Sequence, residues 1–234
     1  MARLPRLLIP GHLHLLIQRS VGGVPIFQTA SDAELYLVPL RELAREHQVA
    51  IHAYALLPTQ VLLLLTPGHE NSLSRLMQAQ GRRFGATYNR AHQRSGVLWE
   101  GRFRATVVDA ASHGLPCLQF VESAALRASL CQVAADYPWS SAAHHAGRLN
   151  DALITEHAFH WSLGNTPFER EAIYRDRLQQ LQPDAVWRPI EDAALKGWVL
   201  GSPDFVRSLG EVTDRRLTSQ PKGRPARKSK PTKP

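Results

Sequence analysis

The sequence predicts an α+β fold in which strands and helices alternate as βαββαβ, giving an antiparallel sheet with helices on one face. Two apolar runs in residues 51–66, IHAYALLPTQVLLLLT, flank the PTQ sequence at 58–60. Proline cannot donate a ladder hydrogen bond, so these three residues are expected at the turn of a central hairpin. The second run, residues 61–65, contains no polar residue, which predicts a strand covered on both faces.

One strand and one helix are predicted before this hairpin. The sequence HLHLLIQR at 12–19 is typical of a strand. Ser31 or Asp32 can cap a helix that runs to about His47. Pro39 lies inside this helical pattern and is expected to kink or interrupt it.

Two helices and a last strand are predicted after the hairpin. The second helix begins near residue 71 and carries apolar residues on one face and arginines on the other. An extended segment and a strand follow within residues 97–109. The third helix covers residues 112–130, with Pro116 in its first turn.

Three parts of the chain differ in composition. Residues 1–147 contain the βαββαβ pattern, residues 148–214 form a mostly helical extension, and residues 215–234 form a basic tail that is expected to be disordered until it binds a partner. The extension is either a separate domain or packs on the first part. Its predicted packing positions are Leu163, Phe168, Ile173, Tyr174, Leu178 and Leu181.

The composition favours a globular protein of a reducing compartment. A hydrophobic content of 44% in 234 residues is enough to form a sizeable core. The two cysteines, Cys117 and Cys131, show neither CxxC spacing nor a disulfide framework. An apolar patch near the N-terminus is broken by Pro5, Pro10 and Gly11, short of signal-peptide or membrane-spanning length. We therefore expect a soluble cytoplasmic protein without membrane contact.

The charge is concentrated in two places. The chain has 28 basic and 20 acidic residues, and residues 215–234 hold 8 basic and no acidic residues, which leaves 20 of each in the rest. Residues 75–104 contain seven arginines and one acid, Glu100. This distribution predicts a polyanionic partner, and a solvated basic face is the alternative.

Five segments together resemble the REP-associated tyrosine transposases, which belong to the single-tyrosine HUH transposase superfamily. They are AIHAYALLP, SRLMQAQGRRF, RSGVLWEGRFRA, ADYPWSSAAHHAG and the terminal GRPARK. The resemblance covers residues 1–147 continuously. It implies an HUH-type DNA-binding domain with a ferredoxin-like core that binds DNA hairpins, a homodimer in the insertion-sequence relatives, and a metal-assisted tyrosine attack on single strands in active members.

The chain departs from that family at its reactive positions. The family's strand pattern P-N-H-V-H-L-L is replaced by PTQVLLL, so the metal-ligand positions hold Gln60 and Leu62. The nucleophile position holds Phe120, and the accessory ligand position holds Ala124. These four substitutions together predict that metal and tyrosine chemistry is lost, so no cofactor is expected where the family would use magnesium or manganese.

Other residues offer alternatives for the missing groups. His12 and His14 share one face of the first strand and could replace the ligand pair, but a structural role is the other interpretation. His52 is expected to pack or to form hydrogen bonds. Tyr88 and Tyr137 match the family as scaffold rather than as nucleophiles.

The residues predicted to bind DNA combine guanidinium groups, which suit phosphates, with an aromatic ring for base stacking. The alternative is that Trp99 and Phe103 belong to the core and that some arginines are only solvated. In the tail, Lys-Gly-Arg-Pro resembles an AT-hook core. The predicted residues are Arg75, Arg82, Arg83, Arg90, Arg94, Trp99, Arg102, Arg104, Lys222, Arg224, Arg227 and Lys228.

These observations predict a DNA-binding protein of the tyrosine transposase family that binds hairpin, palindromic or single-stranded DNA and no longer cleaves it. One alternative is an active metal-dependent transposase or single-strand nickase that uses non-standard residues. The other is a regulatory or interaction relic that does not bind DNA.

Overall fold

A computed structural model describes residues 6–180 and 182–219, and its centre is one four-stranded antiparallel sheet. The strand order is β2-β3-β1-β4, so each helical connection skips one strand and returns to the sheet two positions away. The predicted antiparallel sheet is therefore confirmed. The strands are β1 (Leu13–Arg19), β2 (Val49–Leu57), β3 (Gln60–Pro67) and β4 (Arg104–Val108).

Helices connect the strands and continue after the sheet. The long helices α1 (Ala30–Glu46) and α2 (Ser72–Ala91) form the two connections of the βαββαβ unit. No helix within the described residues is long and apolar enough to cross a membrane. The later helices are α3 (Ala110–Glu122), α4 (Ala124–Arg127), α5 (Ala142–His145), α6 (Ala158–Trp161), α7 (Pro167–Gln179), α8 (Asp184–Lys196) and α9 (Pro203–Gly210).

Helices cover both faces of the sheet. On one face, Leu63 of β3 belongs to an apolar cluster with residues of α1 and α2, including Phe84. On the other face, Leu62 belongs to a cluster with residues of α3, α7 and α8, including Phe120 and Trp187. The prediction of helices on one face therefore describes α1 and α2 only. The second layer exists because the apolar run of β3 has no side that can face water.

The central hairpin forms at the predicted place, whereas two helices differ from their predicted form. Pro58 and Thr59 make the turn, because Leu57 and Gln60 are the last paired residues of the hairpin. The first helix begins after Thr29, which forms a capping box with Asp32, and not after either predicted cap.

The helical prolines also differ from expectation. The first helix continues through Pro39, which is buried, and Pro116 lies inside the third helix rather than in its first turn. The third helix ends at Glu122 instead of near residue 130. Packing against the sheet outweighs the local penalty of a proline that lacks one backbone hydrogen bond.

The extension and the beginning of the tail pack on the sheet layer. Tyr174 and Leu178 are buried as predicted, whereas Phe168 is 82% exposed and Leu181 lies outside the described residues. Residues 215–219, from the segment predicted to be disordered, are ordered, because buried Leu217 accepts a 2.9 Å hydrogen bond from the Val199 N–H. The tail cations predicted to bind DNA, Lys222, Arg224, Arg227 and Lys228, lie outside the described residues.

Two strands each carry a buried histidine. The Nδ1–H of His14 donates to the His12 carbonyl at 2.8 Å, and its Nε2 accepts from the Ile9 N–H at 3.2 Å. His52 donates to the Thr155 carbonyl at 2.7 Å and accepts from the Thr66 hydroxyl at 2.9 Å, which confirms the expected hydrogen-bonding role. Burial lowers the pKa of each imidazole from 6.5 to about 4, so both are neutral at physiological pH.

Acid is expected to destabilise the protein through these histidines. The unfolded chain binds a proton near pH 6.5 that the folded imidazole does not accept until about pH 4, so stability falls as the pH drops through this range. Between pH 7 and pH 5 each histidine lowers the free energy of unfolding by about 2 kcal/mol. In urea unfolding, the His52→Gln variant should therefore lose about 2 kcal/mol less than the wild type over this interval.

A matched control is Thr66→Val, which removes the hydrogen-bond partner of His52 and no titrating group. It should lower stability at both pH values and keep the difference between them close to that of the wild type. An unchanged pH dependence in His52→Gln would contradict a neutral buried His52.

Candidate nucleic-acid interface

The positions that the resemblance assigns to an active site lie together on one face of the sheet. Leu62 pairs with Ile17 of β1 and is 2% exposed. It shares an apolar cluster with Phe120 and Ala124, which are also buried. Gln60, at the start of β3, is only partly buried. The fold thus brings the substituted positions together, and their surroundings are mainly hydrophobic.

Helix α8 of the extension covers these substituted positions. The Trp187 ring centroid lies 6.0 Å from that of Phe120, and the Arg127 guanidinium lies 4.3 Å from the Phe120 ring centroid. Glu191 of α8 forms a 2.8 Å ion pair with Arg19, the β1 residue that pairs with Gln60. A helix absent from the βαββαβ unit therefore lies across the end of the sheet that carries the family's ligand positions.

These side chains do not fit a divalent metal. Leu62 and Ala124 have no donor atom, and the amide of Gln60 is the one oxygen ligand among the three positions. Within the described residues, no group of three or more histidine, cysteine or acidic side chains could hold a metal ion.

The first-strand histidines do not replace the missing ligands. His14 lies five residues before Arg19 in β1, and Arg19 pairs with Gln60. His14 is therefore roughly 17 Å from the end of the sheet that carries Gln60. Both of its ring nitrogens form hydrogen bonds to the backbone. The ring of His12 also contacts a backbone carbonyl, that of Pro10, at 3.0 Å. The structural interpretation of this pair therefore fits the observed contacts.

All five tyrosines of the chain are buried, with exposed fractions of 6% or less. The Tyr137 hydroxyl donates to the Leu56 carbonyl at 2.8 Å, and the Tyr54 hydroxyl donates to Asp151 at 2.7 Å. Burial raises the pKa of Tyr137 to about 12. A nucleophile must reach the scissile phosphate, and none of these hydroxyls is accessible to a DNA strand. The five are Tyr36, Tyr54, Tyr88, Tyr137 and Tyr174.

A buried polar cluster fixes the third helix to the DYPWSSAAHHAG segment. The carboxylate of Glu122 accepts hydrogen bonds from the Ser141 hydroxyl and from His145 Nδ1, the latter at 2.7 Å. Burial lowers the pKa of His145, but the adjacent Glu122 carboxylate outweighs it, so the pKa is raised overall. Sequence reasoning missed this cluster. The available signal was a single acid in the otherwise apolar FVESAA sequence.

The structure separates the predicted DNA-binding arginines into two groups. Arg102 and Arg104 lie at the start of β4, whereas Arg94 follows α2 with its guanidinium 5.9 Å from the Tyr88 ring centroid. In the α2 group, Arg83 forms a 2.6 Å ion pair with Glu42 of α1. The α2 group comprises the exposed residues Arg75, Arg82, Arg83 and Arg90.

The aromatic residues near these arginines pack toward the core. The Trp99 ring centroid lies 5.8 Å from that of Phe84 and 6.1 Å from that of Tyr36. Phe103 is 7% exposed, and the Arg6 guanidinium lies 3.9 Å from its ring centroid. Phe103 thus takes the core position of the alternative interpretation, and the half-buried Trp99 packs against that core. The guanidinium groups are more accessible to a nucleic acid than these rings.

Two solved structures are similar to the chain. A REP-associated tyrosine transposase bound to a REP hairpin aligns with 68% of this chain and 93% of its own, at 14% identity and a TM-score of 0.53. A Deinococcus radiodurans protein described as a transposase aligns with 51% of this chain and 90% of its own, at 21% identity and a TM-score of 0.36, which is too low to support an argument. No protein-family model and no curated protein matches the sequence. The first alignment shows that the chain has the fold of a REP-associated tyrosine transposase.

Proposed function

We propose that the protein binds hairpin or palindromic DNA and does not cleave it. The observation that carries this proposal is the contrast between the two parts of the structure. Three of the four reactive positions, Leu62, Phe120 and Ala124, belong to a packed apolar cluster beneath α8, and every tyrosine is buried. The basic side chains remain at the surface, on a fold shared with a transposase that binds a REP hairpin.

Cleavage by the family's route requires groups that this chain does not provide. Phenylalanine at position 120 keeps an aromatic ring but has no hydroxyl to attack phosphorus. Leu62 and Ala124 cannot hold a metal that would polarise the phosphate. Because the nucleophile and the metal ligands are all replaced, a neighbouring side chain that took over one of these roles would not restore the reaction.

Binding needs only positive charge and shape, which the chain retains. Arginine forms bidentate hydrogen bonds with phosphate, and neutralised phosphates release counterions, which favours the complex. In this proposal residues 1–147 provide the main DNA-binding surface, and residues 148–214 cover the family's catalytic positions. Residues 215–234 add positive charge. The protein acts in the cytoplasm, as a monomer or as a homodimer.

The test is a combined binding and cleavage assay on a labelled DNA hairpin, with an unpaired oligonucleotide of the same composition as control. We expect preferential binding of the hairpin, with an affinity that falls steeply with salt, and no protein–DNA adduct with magnesium or manganese. A covalent adduct would establish the nickase alternative. Absence of both binding and adduct at low salt would establish the relic without DNA binding.

Removal of residues 220–234 should weaken hairpin binding without unfolding the protein. The deletion removes six basic residues and keeps Leu217, which packs on the fold. The slope of log affinity against log salt should decrease by about 0.9 for each phosphate that the tail no longer neutralises, as measured by fluorescence anisotropy. A full-length variant with these six residues changed to glutamine is the matched control. Equal effects of both changes would assign the weaker binding to charge, and normal binding by both would exclude the tail from the interface.

Restoring the family's ligands should be tolerated at one position and not at the other. Leu62→His places a polar ring in an apolar cluster, so it should lower the free energy of unfolding by about 2–4 kcal/mol. Gln60→His, at a partly exposed position, should change it by less than about 0.5 kcal/mol. Chemical unfolding of both variants measures the difference. Equal stability of the two would show that the place beneath α8 is open to polar groups.

A further inference from the structure

We propose that the DNA backbone binds in a cleft beside the N-terminal end of β4. This proposal rests on the proposed function and specifies which surface of the protein contacts the DNA. We call it the β4 cleft. Four of its cations were not among the residues predicted from sequence to bind DNA. The basic residues that line it are Arg6, Arg19, Arg102, Arg104, Lys196 and Arg215.

The β4 cleft consists of two adjoining cavities that share Arg102, Arg104 and Leu195 in their walls. The larger has a volume of about 210 Å³ and reaches Arg19 of β1. The smaller, of about 40 Å³, reaches the C-terminal end of α8 at Lys196. Side chains from separate parts of the chain therefore converge on one concave surface.

Two of these cations are held in place by the fold. The Nε–H of Arg6 donates to the Phe103 carbonyl at 3.2 Å. Arg215 donates from Nη2 to the carbonyl of Gly197 at 2.7 Å. Gly197 ends α8 in the left-handed region at φ +71°, where a Cβ would lie 2.9 Å from the Arg215 guanidinium. The smaller cavity is thus preorganised, which reduces the entropy cost of holding an anion.

Two cations of the β4 cleft form exposed ion pairs. Glu191 pairs with Arg19 and Asp192 pairs with Lys196, both at 2.8 Å and with every partner more than 40% exposed. Exposed pairs of this kind are weak and exchange readily with a competing anion. Like charges gathered in a concave site repel one another, and an anionic ligand relieves that repulsion.

An extended polyanion fits this arrangement better than a small anion. The cations follow the cleft from Arg19 to Arg215, and the chain continues from Arg215 into the basic tail. Buried Leu217 fixes the start of that tail beside Val199. The cations of the cleft can therefore bind more than one phosphate of a DNA strand.

The α2 arginines form a different kind of surface. They project from the outer face of one helix, which is the usual pattern of a solvated amphipathic helix. Acids of the neighbouring segments lie close to them, since Arg83 pairs with Glu42 and Arg75 shares a depression with Glu46 and Glu70. These neighbouring acids weaken the positive field of the α2 surface.

The test compares two full-length variants with equal changes of charge at exposed residues. The cleft variant is Arg102→Gln with Lys196→Gln, and the α2 variant is Arg82→Gln with Arg90→Gln. Hairpin affinity is measured by anisotropy between 50 and 300 mM salt, and thermal unfolding confirms that both variants are folded. We expect the cleft variant to lose about tenfold or more in affinity and about 1.8 in the salt slope. The α2 variant should remain within about twofold of the wild type.

The possible outcomes separate the two proposals. Failure of the wild type to bind the hairpin would overturn the proposed function. Normal wild-type binding that is lost in the α2 variant and retained in the cleft variant would overturn the β4 cleft and leave the proposed function standing. Inorganic phosphate should compete no better than chloride at equal ionic strength. Strong competition by phosphate would show a small-anion site instead.

Discussion

Burial of β3 on both faces is the constraint on which the rest of the structure depends. Residues 61–65 are all apolar and at most 2% exposed. Helices α1 and α2 cover one face, and the βαββαβ unit has no further helix for the other. The later helices α3, α7 and α8 must therefore supply the second layer. The extension is required by the sheet because leaving this face in water would expose a continuous apolar surface.

The same burial accounts for the apolar surroundings of the positions that the resemblance assigns to an active site. A metal site needs polar donors and a path for the substrate, and both are incompatible with a closed apolar cluster. Leu62, Phe120 and Trp187 share that cluster, and Arg127 lies over two of the rings at 4.3 and 5.2 Å. Burial lowers the pKa of Arg127 to about 10, which leaves it charged at neutral pH. The polar linkage of Glu122 to His145 lies elsewhere in the second layer and holds that layer together.

The basic residues are distributed around this apolar centre rather than within it. A phosphate contact needs an accessible guanidinium or ammonium group, and exposed arginines meet this condition whatever the packing of the interior. The apolar centre and the proposed β4 cleft share one helix, because α8 both covers Phe120 through Trp187 and contributes Lys196 to the cleft.

The sequence by itself determined the local features. The hairpin around Pro58, the all-apolar run of β3, the amphipathic α2 and the replacement of Leu62 and Phe120 were all visible, because each depends on neighbours close in the chain. Only the tertiary structure decided how α8 lies over the sheet and that three helices, α1, α3 and α8, continue through a proline. It also decided that Glu122 meets His145 and that cations from residues 6 to 215 meet beside β4. These features depend on contacts between distant segments, whose packing free energy outweighs the local preferences that sequence patterns report.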